Sequence, residues 1–281
     1  MFSALTDDEL ARLLREDVPH GDLTTQGLNL GDMPGCLTMA ARQPMVVCGS
    51  EEAQRLFTLM GAHVQLHAPS GSHVLAGASI LSVQGRADTL LMVWKVAQTL
   101  IEATSGIASE VARIVTGLRA AGHLQPLACT RKSFPGTRAL AAKAVVSGGG
   151  IMHRLGLSES LLLFPEHRLF TDAHPDDVVG RLRRAQPEKK LVAEVTDLEE
   201  ALTLARAGAE VLQLERFTPE AVRQCKLTLH AVHLHPTLAV AGGVNANNAV
   251  AYAQAGADLL VSSAPYHAAP RDVEVRFSRE V

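Results

Sequence analysis

Short apolar runs alternate with amphipathic helical segments along the second half of the chain. Leu191–Val195 and Val211–Leu214 are apolar runs typical of buried strands, and a helical pattern separates them. The same order of strand, helix and strand recurs between Leu238–Ala241 and Leu259–Ser262. Two such units favour a parallel sheet, either closed as a barrel or doubly wound. Ligands bind at the carboxyl ends of the strands in both architectures, so polar residues there are site candidates.

The first hundred residues follow a different pattern. An extended run, Met45–Cys48, precedes a helix near Glu51–Leu59, which we expect Ser50 to cap. Glycine and serine then divide the chain into short pieces before a long helix around Ala87–Ala103. A small α+β module is therefore predicted, with the strand and helix repeats beginning beyond Gly106.

Two helix starts carry the pattern of a capping box. Thr6 is followed three positions later by Glu9, and Thr196 by Glu199. In a capping box each side chain satisfies a backbone donor that the first helical turn leaves free. The first of these segments is acidic where a secretory signal would be basic and then apolar, so we expect a soluble, cytoplasmic protein.

Composition narrows the class of partner. The 281 residues are 47% hydrophobic and carry a formal net charge of −3, which suits a large core and gives no general attraction for nucleic acid or anionic membranes. The four cysteines form no CxxC pair, so neither a zinc site nor a disulfide framework is indicated. A small-molecule partner is therefore expected.

A cluster of cations follows the apolar run Leu127–Cys129. Thr130, Arg131 and Lys132 stand at the end of this predicted strand. Arginine offers a planar fork that matches carboxylate or phosphate, and lysine offers a mobile point charge. The segment predicts an anion site, and a solvated basic loop is the alternative.

A glycine run lies just downstream of this cluster. Gly148–Gly150 precedes His153 and Arg154, so a backbone that allows close ligand approach stands beside an imidazole and another cation. A plain flexible connection and a structural histidine are the alternatives.

Two acids and a pair of glycines end the later strands. Glu194 and Glu215 are suited to a magnesium ion or a ribose diol, or else to salt bridges with neighbouring cations. Gly242 and Gly243 end the next strand, in the late position where barrels bind phosphate through backbone amides, although a tight turn would need the same residues. The last strand ends in two serines that complete the predicted phosphate site, Ser262 and Ser263.

The order of these motifs resembles the quinolinate phosphoribosyltransferase family, also called nicotinate-nucleotide pyrophosphorylase. The matching segments are, in chain order, TRKSFPGTR, GGGIMHRLGLS, AEV, QLE, AGGV and SSA. The resemblance implies an α/β sandwich domain at residues 1–105, to which residues 268–281 return, and an incomplete TIM-like α/β barrel at residues 106–267. It also implies a homodimer, or a higher even oligomer, with shared active sites.

The resemblance assigns roles within the site. Arg131, His153 and Arg154, with Thr130, would contact the acceptor and the ribosyl group, and Lys132 would act as a catalytic cation near the phosphates. Glu194 and Glu215 would be catalytic acids that face the ribose and hold Mg²⁺. The phosphate-binding positions would be Gly242, Gly243, Ser262 and Ser263.

The chain also departs from the family pattern. Lys95 stands where the family has an arginine that reaches the partner's site, and it keeps the charge without the fork. Phe164 replaces a substrate-binding lysine, and Arg216 replaces an asparagine after the acidic position. These departures resemble the ModD branch of the family, named for its association with molybdenum transport.

These observations predict a pentosyltransferase that moves phosphoribosyl from phosphoribosyl pyrophosphate, with Mg²⁺, to a pyridine carboxylate-like acceptor and releases pyrophosphate. The main alternative is a protein that uses the same pocket to bind an anionic metabolite or an oxyanion, with little or no turnover. An aldolase-like barrel would need a Schiff-base lysine at a strand end, and Lys143 and Lys190 suit that role poorly.

Overall fold

The computed structural model describes residues 3–279, and their contacts divide them into two units. The first unit comprises residues 3–112, 134–149 and 266–279, and the second comprises residues 113–133 and 150–265. Residues 1, 2, 280 and 281, which the predicted domain bounds include, lie outside the described residues. Among the described helices, none combines the length and apolar character that a membrane span requires.

The first unit contains an antiparallel sheet with the strand order β13-β1-β5-β3. Its strands are β1 Pro34–Ala41, β3 His63–Leu66, β5 Ser79–Arg86 and β13 Val273–Arg279, and a separate pair is formed by β2 Met45–Val46 and β4 His73–Val74. The helices of this part of the chain are α1 Asp7–Asp17, α2 Leu23–Gly27, α3 Ser50–Leu59, α4 Ala87–Ala120 and α5 Arg138–Ser147. Buried positions alternate along β1, so one face of the sheet packs into the core.

Large apolar side chains from the sheet and the helices fill this core. Leu37 and Leu81 come from β1 and β5, and Leu56, Phe57 and Ile101 come from the helices. Each is at most 1% exposed. The strand β13, in the C-terminal segment, pairs with β1 along its length.

The long helix α4 does not end where the sequence predicts. It was expected around Ala87–Ala103 with strand and helix repeats beyond Gly106, but it continues through Gly106 to Ala120. A β-carbon on Gly106 would lie 2.6 Å from the carbonyl oxygen of Ala269. The glycine therefore serves close packing against a distant segment rather than a helix end.

Helix starts confirm one predicted cap and correct two. The capping box of Thr6 and Glu9 is present at α1. The predicted Ser50 cap is wrong, because Gly49 occupies the N-cap with φ of 84° and places Ser50 inside the first turn.

The second predicted capping box is displaced by one residue. Helix α8 spans Leu198–Arg206, and its N-cap is Asp197, whose side chain accepts a hydrogen bond from the Glu200 amide. The Glu200 carboxylate in turn accepts from the Thr196 amide at 2.9 Å. Thr196 and Glu199 therefore do not form the expected pair, because an aspartate was available one position later.

A buried ion cluster lies within the first unit. Lys143, on α5, donates to Glu51 at 2.9 Å and to Glu52 at 2.6 Å, and the lysine and Glu52 side chains are 4% and 0% exposed. Glu51 also accepts from the Ser70 amide and hydroxyl. These contacts occupy the Lys143 amine, so it is not a free Schiff-base lysine.

The second unit is built on a parallel sheet of seven strands with the order β7-β6-β12-β11-β10-β9-β8. The strands are β6 Leu127–Cys129, β7 Ile151–Met152, β8 Leu161–Leu163, β9 Leu191–Val195, β10 Val211–Glu215, β11 Thr237–Ala241 and β12 Leu259–Ser262. The helices of this part of the chain are α6 Pro165–Arg168, α7 Pro175–Ala185, α8, α9 Pro219–Ala231 and α10 Ala249–Gln254, and a short 3₁₀ turn spans Ala264–His267.

This sheet curls into an incomplete barrel. Within the described residues the end strands β7 and β8 form no ladder with each other, which leaves the barrel open at that position. Small and β-branched side chains pack together on one side of the sheet; they include Ala128, Val211, Ala239 and Val261. The predicted α/β architecture, an α/β sandwich with a barrel of fewer than eight strands, is confirmed.

Candidate active site

A cavity of about 670 Å³ lies at the carboxyl ends of the parallel strands in the second unit. Small-molecule sites in proteins commonly have volumes of about 300–1,000 Å³. Most residues predicted to form the site line this cavity: Thr130, Arg131, Lys132, His153, Arg154, Glu194, Glu215, Gly242, Gly243 and Ser263. The strand ends thus gather residues that are far apart in the sequence.

Two predicted residues lie elsewhere. Lys95 is on α4 in the first unit, where its Nζ donates to Gln98 at 2.9 Å and lies 3.8 Å from the centroid of the Trp94 ring. The hydroxyl of Ser262 donates to the Val244 carbonyl at 2.5 Å. Ser262 thus holds the loop and is not among the residues that line the cavity, and its role as a phosphate contact stays a prediction.

The basic loop is fixed by the ends of β6 and β7. Lys132 donates its amide to the Thr130 hydroxyl at 3.2 Å, and the Thr130 amide donates to the Ser262 carbonyl at 3.0 Å. The His153 amide donates to the Cys129 carbonyl at 2.9 Å. These hydrogen bonds fix the backbone that carries the cations lining the cavity.

Arg154 is a buried cation without an anionic partner. The residue is 5% exposed, and among residues 3–279 its guanidinium makes no hydrogen bond or ion pair. Its carbon lies 5.4 Å from the centroid of the Phe164 ring. Burial, followed by the nearby charge of Arg131, lowers the pKa of Arg154, while Glu194 opposes this shift. Glu194 acts on this guanidinium only beyond ion-pair distance, so an anionic ligand would supply the direct partner that it lacks.

His153 supplies a neutral ring rather than a charge. Burial lowers its pKa below the usual value of 6.5, and the charge of Arg154 lowers it further. The imidazole is therefore uncharged at pH 7, and it can hydrogen-bond to a ligand as donor or acceptor.

The acidic side of the cavity contains Glu194 and Glu215. Burial raises the pKa of Glu194, and the neighbouring charges of Glu215 and Glu166 raise it further. A hydrogen bond from Gln213 and the charge of Lys132 oppose this shift. The two carboxylates thus lie close enough for their charges to repel, and a cation or a sugar hydroxyl would relieve this repulsion.

The phosphate-side loop follows β11 and has left-handed backbone at both glycines. Gly242 and Gly243 have φ of 86° and 100°. A β-carbon on Gly242 would lie 2.6 Å from Cγ of Arg216 and 2.8 Å from Oε1 of Glu215, so only glycine fits there. The side chain of Asn248 donates to the Gly243 carbonyl at 3.0 Å and helps fix the loop.

The acids are compatible with a magnesium ion that is bound together with a substrate. Among residues 3–279 no group of three or more His, Cys, Asp and Glu residues is placed to hold a metal alone. Mg²⁺ is commonly held by one or two carboxylates and completes its shell with substrate phosphates and water. Glu194 and Glu215 are two such carboxylates in one cavity, and the charge of Glu215 adds to the effect of burial in raising the pKa of Glu194.

Among the other residues that line the cavity, four have polar or aromatic side chains and were not predicted as ligand contacts: Phe164, Glu166, Gln213 and Arg216. Phe164 and Arg216 are visible in the sequence as departures from the family pattern. Arg216 has a φ of 58°, which is rare for a residue with a β-carbon, and its Nε lies 3.6 Å from Oε1 of Glu215. Gln213 lies within a strand and Glu166 follows another, and nothing else in the sequence distinguishes either residue.

The fold and the cavity define an α/β-barrel protein with a charged cavity at the carboxyl ends of its strands. The model of the Quinolinate phosphoribosyl transferase C-terminal domain matches residues 107–276, and that of the N-terminal domain matches residues 22–105. The chain therefore belongs to the quinolinate phosphoribosyl transferase family.

Relatives agree with this assignment. A Rhodobacter capsulatus protein named "Putative pyrophosphorylase ModD" is 49% identical over 87% of this chain and 95% of its own length. The human protein named nicotinate-nucleotide pyrophosphorylase [carboxylating] is 29% identical over 95% of this chain and 90% of its own. The crystal structure of NadC from Streptococcus pyogenes superposes with a TM-score of 0.88, at 26% identity and 99% coverage of both chains. The prediction of an enzyme of the pentosyltransferase class is confirmed by family membership.

Proposed function

We propose that this protein transfers a phosphoribosyl group from phosphoribosyl pyrophosphate to a pyridine carboxylate-like acceptor and releases pyrophosphate. The observation that carries the proposal is the buried, unpartnered guanidinium of Arg154 in the same cavity as Glu194 and Glu215. Anionic groups of the substrates would pair with the cations, and the ribose would face the acids.

The charges of the cavity suit a transfer at the anomeric carbon. As the bond to pyrophosphate breaks, positive charge develops on the ribose and negative charge on the leaving group. Glu194 and Glu215 would stabilise the former, and Lys132 the latter. Covalent catalysis is not required, and Cys129 is unsuited to it, because burial raises the pKa of its thiol to about 12.

We include Mg²⁺ in the proposal as a co-ligand of the donor. The described cavity residues supply four cationic side chains, Arg131, Lys132, Arg154 and Arg216, against three carboxylates, Glu166, Glu194 and Glu215. This small excess of positive charge does not neutralise the negative charge of a donor with three phosphate groups. When bound, the ion supplies charge neutralisation of the pyrophosphate, and Glu194 and Glu215 would hold it.

The acceptor side of the proposal rests on Arg131, His153 and Arg154. Their side chains line one cavity with Phe164, whose ring stacks on His167 with centroids 5.7 Å apart. A planar heterocycle with an anionic group fits a guanidinium beside an aromatic face. A link to molybdenum metabolism, expected from the ModD resemblance, stays a prediction that growth of a deletion strain on limiting molybdate would test.

We also propose a homodimer in which Lys95 reaches the partner's site. Light scattering would give the oligomeric state, and Lys95→Ala would be compared with wild type for donor affinity. The proposal expects a dimer and weaker donor binding. A fully active monomer would rule out the shared site.

The experiment that tests the proposed activity measures pyrophosphate release. Purified protein would be incubated with phosphoribosyl pyrophosphate, Mg²⁺ and a panel of pyridine mono- and dicarboxylates. The proposal expects release that depends on one of the acceptors. Donor binding without release for any acceptor would instead support the alternative, a binding protein that uses the same pocket.

A further inference from the structure

Gln213 occupies the floor of the cavity. It lies on β10, in register with Glu194 on β9 and with Ala239 on β11. Alternate residues of a strand face the same side, so Gln213 and Glu215 share the cavity face, with Gln213 one layer deeper. The residue is only 5% exposed and nevertheless lines the cavity.

The two ends of the Gln213 amide have different environments. Nε2 donates a hydrogen bond to Oε2 of Glu194 at 2.5 Å. Oε1 is buried and has no hydrogen-bond partner among the described residues. This orientation is the one that chemistry requires, because an ionised carboxylate only accepts hydrogen bonds and must therefore face the NH₂ group.

An orphaned buried acceptor indicates that a ligand supplies the donor. Buried polar groups are almost always paired, and an unpaired one inside a cavity calls for a water, an ion or a ligand as its partner. The polar side chains nearest in the strand register, Glu194 and Glu215, are carboxylates that accept hydrogen bonds in their ionised form. The floor of the cavity thus suits a hydroxyl or N–H group and disfavours a second carboxylate.

We propose that Gln213 is a specificity-determining residue that accepts a hydrogen bond from a hydroxyl or N–H group of a bound substrate. The inference rests on the proposed function. Two sources can supply this donor group, a ribose hydroxyl of the phosphoribosyl donor or a ring N–H, amino or hydroxyl group of the acceptor. A site built to hydrogen-bond such a group discriminates strongly against analogues that lack it.

The test compares Gln213→Met with wild type. Methionine keeps the approximate length of the side chain and removes both polar ends. Gln224→Met is the matched control, because Gln224 is exposed on α9, outside the cavity. Calorimetric titration with phosphoribosyl pyrophosphate and Mg²⁺ gives donor affinity, and steady-state assays with pyridine monocarboxylates, with and without a ring amino or hydroxyl group, give kcat and KM.

The results separate the two sources. If a ribose hydroxyl is the partner, Gln213→Met weakens donor binding by about tenfold, while a donor analogue without that hydroxyl binds both proteins equally. If the acceptor is the partner, donor affinity is unchanged, and the preference for acceptors that carry the amino or hydroxyl group is lost through KM. Either result supports the role of Gln213.

Two other results would overturn the proposals. If Gln213→Met and wild type have equal donor affinity and equal kcat and KM for every acceptor, Gln213 does not hydrogen-bond to either substrate. A wild-type protein that binds no donor would instead reject the proposed function itself. If Gln213→Met fails to fold, Gln213→Asn carries the same test, because it keeps the amide and withdraws it from the cavity floor.

Discussion

The Arg154 guanidinium carbon lies 5.4 Å from the centroid of the Phe164 ring, and no carboxylate of residues 3–279 forms an ion pair with it. The aromatic ring compensates part of the buried charge. The rest of the positive charge on Arg154 can pair with an anionic ligand. We therefore expect the Arg154 guanidinium to contact an anionic group in the proposed acceptor site.

Replacing Arg154 with methionine should weaken ligand binding without harming the fold. Charge-assisted hydrogen bonds contribute about 1.5–3 kcal/mol, so affinity for the anionic substrate it contacts should fall by roughly ten- to hundredfold. The melting temperature should not fall, because the change removes an unpaired buried charge. Calorimetry and thermal unfolding measure both, with Arg181→Met on the exposed surface of α7 as the control. Unchanged affinity for the donor and all acceptors would remove Arg154 from the site.

Alanine substitutions at Gly242 and Gly243 should have unequal effects. Both residues have positive φ, so each substitution should cost about 1 kcal/mol of stability from backbone strain. At Gly242 the new β-carbon would also meet Arg216 and the Glu215 carboxylate, whereas at Gly243 it would meet nothing within 4 Å. Gly242→Ala should therefore be less stable in urea and should bind the donor more weakly than Gly243→Ala. Identical behaviour of the two variants would contradict the packing described for this loop.

Lys143→Met should destabilise the first unit strongly. The change leaves Glu51 and Glu52 buried without their cation, and breaking such a cluster costs about 3–5 kcal/mol. Chemical denaturation at pH 7 measures the loss. The double variant Lys143→Met with Glu52→Gln should recover part of it, and no recovery would show that the charge of Glu52 is not the cause.

The same cluster predicts a pH dependence. Burial raises the pKa of Glu51, but hydrogen bonds from Ser70 and Lys143 outweigh it, so the pKa lies below the usual value of 4.5. The lowered pKa contributes stability that is present above pH 4.5 and is lost as the pH falls through the folded-state value. The difference between wild type and Lys143→Met should therefore shrink on acidification. A difference that grows as the pH falls below 4.5 would contradict this assignment.

Three of the four cysteines should be unreactive in the folded protein. Burial raises the pKa of Cys129 to about 12 and that of Cys225 to about 11, and it also raises the pKa of Cys48. The thiolate is the reactive form, so alkylation at pH 8 should modify at most Cys36, and all four after unfolding. Mass spectrometry of the alkylated peptides would identify which cysteines react. Fast alkylation of Cys129 in the folded protein would contradict its burial.

The sequence predicts the barrel strands well because their signal is local. The bounds predicted for Leu191–Val195 and Leu259–Ser262 are those observed. Most of the predicted site residues line one cavity because they follow parallel strands, whose carboxyl ends meet at one edge. The pattern of apolar runs and the topology of a parallel sheet are therefore sufficient to predict this part of the site.

Features that depend on distant contacts could not be predicted in this way. Gly106 resembles a helix end in the sequence, but the Ala269 carbonyl that requires it lies in another segment of the chain. The partners of Lys143 are likewise remote in sequence. The orphaned Oε1 of Gln213 depends on its packing inside the barrel, where a glutamine in a strand carries no distinguishing pattern.

The most direct test of the proposed phosphoribosyl transfer follows the phosphorus atoms of the donor by ³¹P NMR, with protein, Mg²⁺ and a pyridine carboxylate. The proposal predicts that the pyrophosphoryl signals of the donor convert to free pyrophosphate while a new 5′-phosphate signal of a nucleotide appears, and that Arg154→Met slows both changes together. Donor signals that broaden on binding and then persist with every acceptor would contradict the proposed transfer.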